Sequence, residues 1–160
     1  MRPLICEIRL ENLRHNYLFL KQIHGKKLLA VVKADAYGHG AVACAHALHD
    51  LADGFAVAFL EEAIKLRENG ITKPILLLEG VFQATEYSLV EQYRLWPVVH
   101  HQTQLEELLT HVWHTPVTVW LKMDSGMHRA GFFPHNYAAA YNALKQSNKV
   151  GHIVKMTHFA

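Results

Sequence analysis

Three short stretches carry residues whose types and spacing could do chemistry. In VVKADAYGHG (31–40) an apolar run delivers Lys33, and Asp35, Tyr37 and two glycines follow at once. In LKMDSGMHRAGF (121–132) a second apolar run delivers Lys122, with Asp124 and Arg129 close behind. In MTHFA (156–160) His158 stands just past a third apolar run. A lysine at a water-poor strand end loses part of its preference for the charged form, which leaves a nucleophilic amine able to form a Schiff base. Taken alone, Lys33 reads as readily as a strand-end lysine whose stem lies on apolar surface while its ammonium reaches water. Arg129 offers a planar fork to a carboxylate, or else a structural partner for Asp124. Tyr37 could pack in its loop, Lys122 could be a plain strand-end lysine, and His158 could be a packed histidine. The co-occurrence of three such ends turns the reading of Lys33 towards chemistry.

The elements that must position these residues alternate along the chain. KKLLAVVKAD, DGFAVAF, KPILLLEG, LWPVVH, TPVTVWLKMDSG and KVGHIVKMTHFA read as strands, because each is a short, nearly continuous apolar run. The last is expected to run to the chain end. GAVACAHALHDLA, LEEAIKLRENG, QATEYSLVEQY, TQLEELLTHVW and PHNYAAAYNALKQS read as the helices between them. Gly70 ends the second of these, Thr103 stands at or near the start of the fourth, and Pro134 opens the fifth. LICEIRLENLRHNYLFLKQIHG reads as a short strand and a helix ahead of the series. Strands alternating with helices need crossover connections and so form a parallel sheet. An open doubly wound sheet and a (β/α)8 TIM-type barrel both fit. No GxGxxG follows the first strand, which weakens a dinucleotide site. In either fold, reactive groups gather at the C-terminal ends of the strands, where Lys33, Tyr37, Lys122, Arg129 and His158 would share one mouth. A closed barrel typically takes about 250 residues. The 160 residues here therefore suggest an incomplete barrel of about six strands, part of a longer protein.

Composition excludes several classes. A formal charge of +2 with scattered basic residues gives no electrostatic case for nucleic acid or an anionic membrane. No apolar stretch approaches the roughly 20 residues of a membrane helix. MRPLICEIRLEN lacks a signal peptide's apolar core, which points to a soluble cytoplasmic protein. Cys6 and Cys44 form no CxxC pair and read as reduced, partly buried thiols. The 13 histidines include His46/His49, His100/His101 and His111/His114, but no HExxH, so no metal site is expected. Trp113, Trp120 and Phe132 read as core or wall.

AVVKADAYGHG closely resembles the pyridoxal-phosphate attachment motif of the alanine racemase family. LKMDSGMHRAGF resembles that family's second signature, usually written with Thr where Ser125 stands, and MTHFA resembles a third. The resemblance spans the chain from EIRLENLRHNY to the last residue. It implies the N-terminal part (1–160) of a (β/α)8 barrel that binds pyridoxal 5'-phosphate. It further implies interconversion of L-alanine and D-alanine for peptidoglycan precursors. Lys33 would hold the cofactor through its amine and act as the base facing the α-proton of D-alanine. Tyr37 would hydrogen-bond the cofactor phosphate, and His158 would lie against the pyridine ring. Arg129 would lie beside the phenolic oxygen and contact the substrate carboxylate. Lys122 matches a position that many members carry carbamylated, the added carboxylate orienting the arginine. Asp35 and Gly38 would shape the loop.

The resemblance also implies what lies elsewhere. The family has a C-terminal β-domain, absent here, and works as a homodimer. Its second base is a tyrosine of the partner's β-domain, so this chain supplies a base for one face only. Racemase activity is not expected of these residues alone. LICEIRL normally joins the β-domain and would lack its partner. Ala130 replaces a larger apolar residue, a change expected to be tolerated. The competing reading is non-catalytic: a pyridoxal-phosphate-binding barrel module or a structural fragment.

Overall fold

The computed structural model describes residues 3–159. Six parallel strands form one sheet: β1 (Leu29–Val31), β2 (Gly54–Val57), β3 (Ile75–Leu77), β4 (Trp96–Val99), β5 (Val117–Lys122) and β6 (Val150–Met156). Each strand pairs with its neighbour in sequence, in the order β1-β2-β3-β4-β5-β6. A doubly wound sheet must reverse its strand order at a switch point. No reversal occurs among these strands, so the arrangement is that of an incomplete (β/α)8 barrel.

Helices fill every crossover. After α1 (Leu10–His24) come α2 (Lys33–Tyr37, a single turn), α3 (Ala41–Leu48), α4 (Leu60–Glu68), α5 (Tyr87–Gln92), α6 (Gln102–Thr110) and α7 (Pro134–Gln146). Alternation along the strands sorts the side chains into two clusters. Phe55, Val57, Ile75, Leu77, Val99, Val119 and Leu121 face the helices and form the main core with residues such as Leu66, Leu108 and Leu144. Ala56, Leu76 and Val98 face the lumen, with Leu29, Leu78, Trp96, Trp120 and Met156 packed about them. Trp96 and Trp120 stack there with ring centroids 6.2 Å apart. Phe132 is buried and Trp113 packs against the helix-side core, so all three wall residues read from sequence are accounted for.

The six strands and the five helices between them fall where the apolar runs place them. Pro134 stands at the first position of α7, and Gly70 follows α4 with φ +83°. Thr103 lies in the first turn of α6, while the N-cap is His101, whose ring accepts the Gln104 amide. Two strand readings need correction. LICEIRL forms no strand over its residues 4–9, since a strand persists only where its ladder is paired, and Leu10 already begins α1. The final strand ends at Met156, short of His158; Ala160, the last residue of MTHFA, lies outside the described residues. Both cysteines are free; Cys44 is buried as expected, whereas Cys6 is exposed because its segment packs under nothing.

α1 anchors the first strand. The Tyr17 hydroxyl donates to Leu28 O at 2.6 Å, and Asp53 accepts from the Leu28 amide at 2.8 Å. Lys21 reaches Asp53 at 3.0 Å, and Arg14 forms a bidentate pair with Asp50 at 2.6 and 2.8 Å. The start of β1 is thereby fixed in three dimensions, and with it the place where Lys33 leaves the sheet.

Candidate active site

β1 is short because the backbone turns sharply at its end. Ala34, Asp35, Ala36 and Tyr37 all take positive φ, from 50° to 55°. This is one left-handed turn, a conformation that costs an L-residue about 1–2 kcal/mol. Gly38 and Gly40 continue it at φ +84° and +88°, where glycine is at no disadvantage. The turn is closed by local bonds, Ala36 N to Val32 O at 2.9 Å and Gly40 N to Asp35 O at 2.8 Å. The Asp35 carboxylate accepts from the Ala41 amide at 2.9 Å and so caps α3. Asp35 and Gly38 thus shape the loop. Lys33 stands half-buried at the head of this turn.

The end of β5 is built differently. Lys122 is 8% exposed and Asp124 is 6% exposed. The Asp124 carboxylate accepts from the amides of Gly126 and His128, both at 3.0 Å, and faces His128 Nδ1 at 3.2 Å. Those amides hold its carboxyl below the usual aspartate range. Gly131, at φ +128°, lets the loop return: a Cβ there would lie 2.4 Å from Asp124 N. The loop so formed carries Arg129 outward. Asp124 makes no ion pair with Arg129; its oxygens are spent on its own loop.

Burial lowers the proton affinity of the Lys122 amine. Glu79 opposes that shift and Arg129 adds to it, with smaller effects from Asp124 and Lys33. The parallel sheet brings the ends of β1, β3 and β5 to one mouth. The Ser125 hydroxyl lies 2.6 Å from that of Thr157, which donates to Met123 O at 3.0 Å, so the β5 loop is tied to the end of β6. Lys122, Arg129 and His158 line one shallow depression of about 10 Å³ with Asp124 and Ser125.

Tyr37 is not part of that depression. It is 62% exposed and lines a separate groove of about 480 Å³ between α1 and β1. Three of the five residues read from sequence, Lys122, Arg129 and His158, are therefore brought together in one depression; Lys33 stands apart from it at the end of β1, and Tyr37 lines the α1–β1 groove. Among the described residues no group of three or more His, Cys, Asp or Glu side chains converges as metal ligands would.

Sequence reasoning missed two supporting residues. Gln104, 2% exposed, donates to Glu79 O and Val81 O, each at 2.9 Å, and accepts from the His100 amide at 3.1 Å. It pins the loops after β3 and β4, and Gly80 packs against it. Glu62, on α4, accepts from the Ala34 amide at 2.6 Å. Neither carries a local signal, since a glutamine or glutamate in an amphipathic helix reads as solvent-facing.

Residues 8–160 match the family model described as "Alanine racemase, N-terminal domain". The chain belongs to the alanine racemase family. It is 71% identical over all 160 residues to an alanine racemase of Neisseria meningitidis serogroup C, of which it covers 46%. It is 56% identical to a catabolic alanine racemase of Pseudomonas putida, covering 45% of that protein. The crystal structure of a biosynthetic alanine racemase from Pseudomonas aeruginosa superposes with a TM-score of 0.95 at 46% identity, over the whole of this chain and 45% of that one. The chain thus spans about half the length of the relatives it matches, and it is similar to both catabolic and biosynthetic members.

Proposed function

We propose that this chain is the N-terminal part of an alanine racemase barrel, and that the intact protein interconverts L-alanine and D-alanine with pyridoxal 5'-phosphate. The observation that carries the reading is the shared mouth: a half-buried lysine, a buried lysine beside an arginine, and a histidine, on three strand ends of a parallel barrel. When bound, the cofactor draws electrons from the substrate Cα and so eases loss of its proton.

Lys33 would hold that group through its amine and move the proton on one face of Cα; a positioned base of this kind contributes roughly 10²–10⁴-fold. Its place at the head of a backbone-fixed turn limits the directions the amine can take. Arg129, with no carboxylate partner in its own loop, keeps its fork for the cofactor's phenolic oxygen and the substrate carboxylate. His158 would cover the ring, and Tyr37, at the margin, suits the phosphate end. The Lys122 amine, its proton affinity reduced, is suited to attack carbon dioxide. An N–C bond forms, a proton leaves to solvent, and the carbamate's negative charge then faces Arg129.

The depression of about 10 Å³ is far smaller than the cofactor, so these residues supply one wall and one base. The other wall and the second base would come from a C-terminal β-domain and a partner subunit of a homodimer. We further propose a cytoplasmic enzyme that supplies D-alanine for peptidoglycan. No helix among the described residues is long and apolar enough to cross a membrane.

The test is chiral analysis of alanine after incubation of the intact protein with L-alanine and pyridoxal phosphate, with α-proton exchange in deuterium oxide followed in parallel. Racemisation is expected, and Lys33→Ala should lose both signals. Racemisation undiminished in Lys33→Ala would overturn the assignment.

A further inference from the structure

We propose that Glu62 is a positioning residue for Lys33, its carboxylate tying the start of α4 to the first amide after the lysine and so holding the left-handed turn that aims the amine. The inference rests on the reading of Lys33 as the cofactor lysine and goes beyond it, because Glu62 touches neither cofactor nor substrate.

The geometry separates this role from ordinary helix capping. Glu62 is the third residue of α4, where a glutamate commonly reaches back to the amide before its helix. One oxygen, Oε2, does that, accepting from Ala58 N at 2.8 Å and Phe59 N at 3.0 Å. The other, Oε1, turns away from its own helix and accepts from Ala34 N at 2.6 Å. That contact spans 28 residues of sequence and joins the end of β2 to the end of β1. An ionised carboxylate accepting backbone amides makes hydrogen bonds roughly twice as strong as neutral ones.

The turn needs such a tether. Its four positive φ values are individually unfavourable and persist only where the surroundings over-determine them. Asp35 secures the far side of the turn through Ala41, and the local bonds close its middle. The near side, where Lys33 leaves the strand, has Val32 N to Ala56 O at 2.8 Å and then Glu62. Lys65, one turn along α4, lies 3.8 Å from Asp35, but both side chains are exposed and the pair contributes little. It serves as a control on the same helix face.

Glutamine is the informative replacement. Its amide keeps one acceptor oxygen and puts an NH2 group where the second stood, so it can serve either the Ala58 and Phe59 amides or Ala34, but not both. Glu62→Ala removes both acceptors. The experiment compares the intact parent protein, Glu62→Gln, Glu62→Ala, Lys65→Ala and Lys33→Ala. Hydrogen exchange of the peptide spanning 32–40 is read without cofactor. The rate of borohydride-trapped pyridoxal-phosphate adduct at Lys33 is read by peptide mapping.

Both glutamate variants are expected to exchange the 32–40 amides about tenfold faster and to trap adduct at Lys33 about tenfold more slowly. Lys65→Ala should leave both readings as in the parent, and exchange in the remainder of the barrel should be unchanged in Glu62→Gln. Parent-like exchange and trapping in both glutamate variants would overturn the inference. A parent protein that traps no adduct at Lys33 overturns the reading of the lysine instead, and exchange alone then decides whether Glu62 holds the turn.

Discussion

The ends of β1 and β5 place reactive side chains at the same mouth by opposite means. The β1 end is a strained left-handed turn, largely exposed, secured by a glutamate from another helix. The β5 end is a loop wound about its own aspartate, with a single non-glycine residue at positive φ, His128 at 56°, and a buried lysine beneath it. The first carries four consecutive positive φ values and depends on a glutamate from another helix, whereas the second carries one outside glycine and is held by its own aspartate and by Ser125 against Thr157. The difference suits the roles proposed. A lysine that must address one atom gains from a rigid, over-determined backbone, and an arginine that must meet a carboxylate keeps its reach on an exposed loop whose aspartate is already spent on backbone amides.

The largest expected effect tests the β1 side. Lys33→Ala in the intact protein should lower racemisation by at least the roughly 10²–10⁴-fold that a positioned base supplies. On the β5 side, Asp124→Asn should free the loop and raise KM for alanine about tenfold with a smaller change in kcat, since Arg129 loses its place rather than its chemistry. An unchanged KM would show that the loop is held without its aspartate.

Gln104→Leu leaves the Val81 carbonyl and the His100 amide without their partner, while Glu79 O keeps His100 Nε2 at 3.1 Å, and should destabilise the protein by about 1–3 kcal/mol in urea unfolding. Gly131→Ala places a Cβ against Asp124 N at a φ that alanine resists, for about 1–3 kcal/mol. If either variant melts like the parent, the mouth is less rigid than its bonding implies.

The smallest effects are those of pH. Asp124 titrates below its ordinary value of 3.8 when folded, so its contribution is complete above 3.8 and drains as pH falls through the lowered value. Asp124→Asn should flatten that acid limb. In protein freed of carbon dioxide, where Lys122 keeps its amine, that amine titrates below its ordinary 10.5 when folded. Between the two values the unfolded chain holds a proton that the folded one has released, so stability rises with pH across that window. Lys122→Met should remove the rise, read from urea midpoints at stepped pH.

The contrast between the two ends also marks what the sequence can and cannot convey. Apolar runs such as AVV and VTVWL place the six strands, and a parallel sheet follows from their alternation with helices, but the choice of barrel over doubly wound sheet needs the strand order. Lys33 and Lys122 are legible because they end such runs. The left-handed turn is not, since four consecutive positive φ values in ADAY contradict local propensity and are held by Glu62, whose partner is 28 residues away. Asp124 suggests a partner for Arg129 when read along the chain, but in space it is already spent on Gly126 and His128. LICEIRL alternates as a strand should, yet pairing is a tertiary fact and the segment has none among the described residues.

The central claim is that Lys33, and not the buried Lys122 at the end of β5, is the amine that takes the cofactor. The most direct measurement is peptide mapping of the chain after incubation with pyridoxal phosphate and borohydride reduction. A reduced adduct confined to Lys33 is the predicted result. An adduct on Lys122, or one spread over many lysines, would contradict it.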